Sequence, residues 1–265
     1  MLNSVILMLR FCWHLPKSTT VVLFATTPVA VYVGPFVFLI CRIFRKKSIL
    51  RKFAGRFDLT YTELSKTKRF LLDKTTMRMD LLLFETQALT RFFKDRIGGN
   101  CRWHANCRDM PTENSEIDQL HRKAFLYLGH VRPCKGVREI IEAAKLCTDV
   151  SIDIYGPLRN GIVESEFEVS KNLKYLGPVE PSQVLGTMRK YDALLIPTHC
   201  KTEGYPGVIL EAYCAGIPVI ATDWNAIGEI VENEESGLLV KPRCHNSLAE
   251  AMHRISQDTK LWSRL

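Results

Sequence analysis

The sequence predicts an α/β protein built on doubly wound parallel sheets, in two domains. Three observations predict it. From Ala124 onward, short apolar runs alternate with helical segments: FLYLG, a helix, SIDIY, NLKYLG, then more of each. Strands that alternate with helices are joined by crossovers, so they run parallel with helices on both faces. Residues 193–222, ALLIPTHCKTEGYPGVILEAYCAGIPVIAT, repeat the theme as strand, polar loop, short helix, glycine stop and strand. Residues 109–119 are polar and contain a proline, which suits a linker, and 265 residues suffice for two modest domains. The expected division is a first domain over 1–108, a linker over 109–122 and a second domain over 123–265.

Residues 1–15 read as the tail of a helix, without the basic start and small-residue cleavage site of a signal peptide. Residues 19–41 carry no charge and by length alone span a membrane. Their prolines, glycine and threonines divide them better into a strand at 20–25, a loop, and a helix through Phe44. A basic cluster follows, Arg42, Arg45, Lys46, Lys47, Arg51, Lys52 and Arg56. It is read either as a solvated edge or as a contact for anionic lipid, where each cation near the surface adds about 1 kcal/mol. Strands are expected at 48–53, 80–84 and 102–105, with helices at 61–79 and 85–97. In the second half, helices are expected at 137–147, 181–191, 227–231 and 246–255, and further strands at 193–197, 218–221 and 237–240.

The net charge of +8 fits phosphate-rich ligands, nucleic acid or an anionic surface without choosing among them. No nucleic-acid module has its spacing here. The nine cysteines are scattered. The simplest reading is a reducing cytosol with cysteine used as a small core residue, and hence a cytoplasmic protein, with the inner face of the membrane left open. No cluster has metal-ligand spacing, so no metal or cofactor is expected to be required.

Residues 193–222 hold the most chemistry. Pro206 and Gly207 open a helix, proline's fixed φ suiting a first turn, and Gly216 closes it as a left-handed cap. In an open parallel sheet, ligands bind at the carboxyl ends of strands, over helix N-termini. The free amides of Tyr205–Val208 therefore face a site suited to an anion. Glu203 precedes the helix. Glu211 lies one turn inside it, on the same face as Gly207. Carboxylates beside an amide cradle fit a ligand with hydroxyls to grip and a diphosphate nearby, which describes a nucleotide sugar.

The run EGYPGVILEAYCAGIPVIATD resembles the signature of family-4 retaining glycosyltransferases (glycosyl transferases group 1) of the two-Rossmann-domain GT-B architecture: Glu, seven residues, Glu, then A-x-G-x-P-V-I-A. The resemblance implies that Glu211 holds the donor ribose, that Glu203 lies at the donor sugar, and that the amides of Gly204, Tyr205, Pro206–Gly207 and Val208 line sugar and diphosphate. GHVRPCKG, residues 129–136, is similar to the family's Gly-Arg…Lys-Gly diphosphate loop. Lys135 matches the lysine, Gly129 the glycine, and His130 stands at the arginine, with Arg132 two residues on as a substitute cation. Gly177-Pro178-Val179 resembles the loop that meets the base through Gly177 and Val179. NAIGEIV resembles GG-x-x-E, with Asn225 and Ala226 at the two glycines and Glu229 either structural or ligand-binding. NCRD, residues 106–109, resembles the interdomain N-G-V-D. The family's His-Gly is replaced by Ala54-Gly55, so its histidine is absent.

Relative to the family, the first domain starts midway and the terminal crossover helix is missing, which makes a truncated chain the expectation. The activity implied is retaining transfer of a sugar from a UDP- or GDP-linked donor to a saccharide or lipid-linked acceptor, as in bacterial surface-polysaccharide synthesis. The alternative is an inactive nucleotide-sugar-binding module. No nucleic-acid partner is expected.

Overall fold

The computed structural model describes residues 10–11, 13–53, 55–109 and 120–265. Ala54, most of residues 1–15 and most of the expected linker lie outside the described residues. The chain forms two compact units, Met1–Ala105 and Asn106–Leu265, each an α/β sheet layered with helices.

Unit 1 contains a four-stranded parallel sheet in sequential order, β1 (Thr20–Ala25), β2 (Lys47–Lys52), β3 (Leu81–Phe84) and β4 (Cys101–Trp103). The uncharged stretch 19–41 is divided as expected. It becomes β1, a π-helical turn over Val29–Val33 and helix α1 (Gly34–Ile43). Among the described residues no helix is long and apolar enough to cross a membrane. The long helix expected at 61–79 is two helices, α2 (Phe57–Glu63) and α3 (Lys66–Lys74). The break is at Leu64–Ser65, where the Ser65 hydroxyl accepts from the Lys68 amide and caps the second helix. Helix α4 (Gln87–Ile97) follows β3 and lays Phe93 against Phe84, ring centroids 4.8 Å apart. Both rings are fully buried, each contributing roughly 1.5–3 kcal/mol.

The basic cluster does not stay together as a solvated edge. Arg51 and Lys52 are buried, Lys52 completely. They end a central strand, so their side chains enter the packed layers. Lys52 donates to the Phe53 carbonyl at 2.7 Å and sits over the Phe57 ring. Glu85, also buried, supplies the opposing charge. Burial still pushes the Lys52 amine down to about 8. Arg56 pairs with Asp58, while Arg42, Arg45 and Lys47 remain exposed.

Unit 2 holds a six-stranded parallel sheet in the order β10-β9-β8-β5-β6-β7. The strands are β5 (Ala124–Leu128), β6 (Ser151–Tyr155), β7 (Leu173–Gly177), β8 (Ala193–Ile196), β9 (Val219–Thr222) and β10 (Gly237–Val240). The crossover helices are α5 (Val137–Leu146), α6 (Val184–Met188), α7 (Gly207–Ala215) and α8 (His245–Gln257), with α9 (Thr259–Arg264) after them. The helix expected at 181–191 opens with a 3-10 turn and is α-helical only over Val184–Met188, and the one expected at 227–231 is a 3-10 turn over Ile227–Glu229. Neighbouring residues Phe125 and Leu126 are both fully buried, one in each of the two cores flanking the sheet. A sheet covered on both faces explains why its strands read as continuous apolar runs. Asp192, fully buried, accepts from the amides of Arg122 and Ala124 and fixes where β5 begins.

The strand order sets the site. The chain runs outward from β5 to β6 and β7, then returns to the other side of β5 to lay down β8, β9 and β10. The order reverses between β5 and β8, and a crevice opens there at the carboxyl ends.

Candidate functional site

A cavity of about 370 Å³ lies at this reversal, lined by the ends of β5 and β8 and the loops that leave them. From the β5 side come Gly129, His130, Arg132 and Lys135. From the β8 side come Thr198, Glu203, Pro206, Gly207 and Val208. Eight of the expected site residues thus meet around one space. Glu211 lines a neighbouring cavity of about 160 Å³ with Arg108, Pro181 and Cys214. Gly204 and Tyr205 form the link between Glu203 and Pro206, and the Tyr205 carbonyl accepts from Asn106 Nδ2 at 2.7 Å. Gly177 and Val179 line neither cavity. Gly177 ends β7 along the same edge, its carbonyl accepting from Gly156 N at 2.9 Å.

The β5 loop is held close to β8 by a glycine. Gly136 has φ of +79°, and a Cβ there would run into the Pro197 carbonyl, so only glycine permits the approach. The loop is then tied across the gap. His199 N donates to the Cys134 carbonyl at 2.8 Å, and a disulfide joins Cys134 to Cys200, Cα atoms 4.9 Å apart. This corrects the reading of the cysteines as core fillers for two of the nine. Of the others, Cys41, Cys101 and Cys147 are buried free thiols as expected, and burial raises the pKa of each.

The tie brings the two chemical groups together. Lys135 Nζ stands 2.5 Å from Glu203 Oε2, and the Thr198 hydroxyl donates to the same oxygen at 2.8 Å. Glu203 is 9 % exposed, so its carboxylate is aimed by two donors rather than by water. The Glu203 charge in turn adds to burial in pushing the Tyr127 phenol up. Tyr127 stays a neutral donor, its hydroxyl bonding the His130 carbonyl at 2.8 Å and pinning the turn. Arg132 lines the cavity, and its buried Nε has no hydrogen-bond partner. His130 lines the cavity too. The head of α7 completes the wall with the amide cradle expected of a helix N-terminus.

Of three supporting residues, the sequence marks Asn106 and Asn225 only as motif positions and Trp224 not at all. Asn106 anchors the start of unit 2 to the Tyr205 carbonyl. Trp224 Nε1 and Asn225 Nδ2 donate to the Cys200 carbonyl, and Asn225 also to the Glu203 carbonyl at 3.1 Å. Asn225 has φ of +53°, a left-handed conformation that glycine favours and asparagine tolerates. That accounts for an asparagine standing at a glycine of the pattern it resembles. Glu229 sits in a 3-10 turn, where its charge helps raise the Tyr205 pKa after burial. His199 faces Glu139, with burial lowering its pKa. Among the described residues no group of three or more His, Cys, Asp or Glu could hold a metal ion.

Comparison with known proteins bears on the fold and the family. The chain is 26% identical over 185 residues to D-inositol 3-phosphate glycosyltransferase of Corynebacterium glutamicum, covering 63% of this chain and 44% of that one. It is 27% identical over 146 residues to the putative teichuronic acid biosynthesis glycosyltransferase TuaC of Bacillus subtilis, covering 54% and 35%. The chain thus spans less than half the length of these relatives. Among solved structures, Anabaena Alr3699/HepE in complex with UDP superposes with a TM-score of 0.73 at 20% identity, over 92% of this chain and 71% of that one. Sucrose-phosphate synthase of Thermosynechococcus elongatus gives 0.73 at 17%, over 96% and 68%. These likenesses show the GT-B fold. Residues 122–258 match the family Glycosyl transferases group 1, and the chain belongs to that family.

Proposed function

We propose that the cavity binds a nucleoside-diphosphate sugar and that the protein of which this chain is all or part transfers the sugar with retention of anomeric configuration. One observation carries the reading: Lys135, Arg132, Glu203 and the head of α7 surround one space at the point where the strand order reverses. The diphosphate rests on the Gly207 and Val208 amides, with Lys135 and Arg132 as counter-charges. Arg132, whose Nε lacks a partner, takes the place of the arginine that His130 replaces. Glu211 takes the ribose hydroxyls, the Gly177–Val179 loop the base, and Glu203 the hydroxyls of the sugar.

The chemistry follows from the charges. The bond between the sugar's anomeric carbon and the diphosphate oxygen breaks, and its electron pair leaves with the nucleoside diphosphate. Fixed cations stabilise that departing charge. The acceptor hydroxyl attacks from the same face, and its proton passes to a leaving-group oxygen. No covalent intermediate is invoked: Glu203, the carboxylate at the cavity, is assigned to the sugar hydroxyls. No metal is needed to neutralise the leaving group where Lys135 and Arg132 do so.

UDP is the first donor base to test, since HepE was solved with UDP and with UDP-glucose. The acceptor is a saccharide or lipid-linked saccharide; among the relatives are glycosyltransferases named for teichuronic acid and capsular polysaccharide synthesis. Exposed Arg42, Arg45 and Lys47 beside exposed Ile43 and Phe44 support peripheral contact with an anionic membrane surface. A panel of UDP- and GDP-sugars in thermal shift, followed by NMR of the product's anomeric centre, tests the proposal. A stabilising nucleotide without transfer to any acceptor favours the second reading, a binding module, and an inverted product refutes retention.

A further inference from the structure

Glu211 does not face an open ribose site. Its carboxylate already holds a cation. Arg108 Nε donates to Glu211 Oε1 at 2.7 Å. The rest of the guanidinium lies along the opening turn of α7: a Cβ on Gly207 would collide with Arg108 Nη2. Gly207 and Glu211 are one turn apart on the same face, so the guanidinium occupies the strip between the head of the helix and the carboxylate. Arg108 is anchored there, because Asn106, two residues earlier, grips the Tyr205 carbonyl, and Nη1 bonds the Cys107 carbonyl at 3.0 Å. The pair is part-exposed, 39% for the Arg108 side chain and 25% for Glu211. It can therefore be broken at small cost, since such pairs are worth about 1 kcal/mol or less.

We propose that Arg108 is a specificity-determining cation that makes the site admit nucleoside diphosphates and discriminate against bare nucleosides. The proposal rests on the reading that Glu211 takes the ribose. A ribose arriving at Glu211 has to displace the guanidinium. A nucleoside gives the displaced cation no new partner. A nucleoside diphosphate brings an anion to the head of the same helix, and the guanidinium passes from carboxylate to phosphate by a swing of its side chain. The planar fork of arginine suits both anions, and no covalent bond changes. Lys135 does not perform this exchange, because its carboxylate partner is Glu203 rather than the ribose-holding Glu211. Arg108 stands at the valine of the N-G-V-D pattern that NCRD resembles, so the device belongs to this chain rather than to the pattern.

The test is the affinity ratio of UDP to uridine, with GDP and guanosine as the second pair. Calorimetry reads the diphosphates and ligand-observed NMR competition reads the nucleosides, on wild type, Arg108→Ala and Arg108→Lys. In Arg108→Ala, uridine tightens by about twofold to fivefold as the ion pair is lost. UDP weakens by about fivefold as a charged contact to phosphate is lost, so the ratio falls by about tenfold or more. Arg108→Lys keeps the charge and most of the ratio. Thermal melts establish that each variant is folded. A ratio unchanged in Arg108→Ala, in a protein that binds UDP or GDP, overturns the role of Arg108 and leaves the glycosyltransferase reading standing. Wild type that binds neither diphosphate overturns that reading, and the role of Arg108 with it.

Discussion

Lys135 and Glu203, 68 residues apart in the chain, meet at 2.5 Å across the mouth between β5 and β8. The carboxylate holds the lysine at the place where a diphosphate would need it, so the cation is oriented before any ligand arrives. The two side chains serve different parts of a donor, and they separate experimentally. Lys135→Ala should weaken UDP binding by about tenfold to a hundredfold, the range of a charge-assisted hydrogen bond at about 1.5–3 kcal/mol. Glu203→Ala should leave UDP affinity within a few-fold and lower sugar transfer instead. If calorimetry shows the reverse order of effects, the assignment of the two walls is wrong.

Glu211 is the counterpart on α7. Glu211→Ala removes the acceptor for ribose hydroxyls, and about 1.5–3 kcal/mol of hydrogen bonding to a charged group with it. The expected result in titration calorimetry is a UDP affinity lower by tenfold or more, about the same factor for UDP-sugar, and an unchanged melting temperature without ligand. An undiminished affinity would falsify the ribose role.

The disulfide between Cys134 and Cys200 spans 66 residues. Cross-links over loops of this length stabilise by about 2–4 kcal/mol, chiefly by restricting the unfolded chain. Urea unfolding of wild type should therefore shift to lower midpoint on adding dithiothreitol. A Cys134→Ser, Cys200→Ser double variant should start low and not respond. Equal midpoints for wild type with and without reductant would mean that the bridge contributes nothing in solution.

Lys52 gives unit 1 a pH signature. Its amine is pushed from 10.5 down to about 8 by burial, against the opposing pull of Glu85. Between those two values the unfolded chain binds the proton and the folded one does not, so stability rises with pH through that window. Below about pH 8 the buried charge costs stability, up to about 3 kcal/mol for a shift of this size. Between pH 7.5 and pH 8.5 the denaturation midpoint of wild type should rise relative to that of Lys52→Met. The window stops there because the thiols of Cys41, Cys101 and Cys147, raised by burial, act in the opposite direction above it, and Tyr61, pushed up to about 12, does so at higher pH. A difference between the two midpoints that stays flat across the window excludes the effect.

What the sequence showed and hid follows from how local each feature is. The strands of unit 2 were legible because a sheet covered on both faces writes itself as short apolar runs, as in Phe125 and Leu126. The glycine that ends α7 was legible because Gly216 needs its φ of +76°. The buried end of β2 was not. Arg51 and Lys52 look like their exposed neighbours Arg45 and Lys47, though both are buried, Lys52 against Phe57 from another element. The break after α2 did have a signal, since Ser65 is a helix-capping residue inside an otherwise continuous helical pattern. Arg108, Asn106 and Asn225 were named only as parts of motifs. Their bonds to Glu211, Tyr205 and Glu203 join segments far apart in sequence, and no spacing rule reaches that far.

The reversal of strand order also dictates when the cavity can exist. The loop bearing Arg132 and Lys135 is synthesised early, but it faces nothing until β8 has been made and has returned past two strands to lie beside β5. Long-range parallel pairing of this kind is slow to form, and domains assemble as their chain emerges. A nascent chain halted before Ile196 carries the cations of this site with no opposite wall, so nucleotide affinity should arise abruptly with chain length rather than grow in proportion to it.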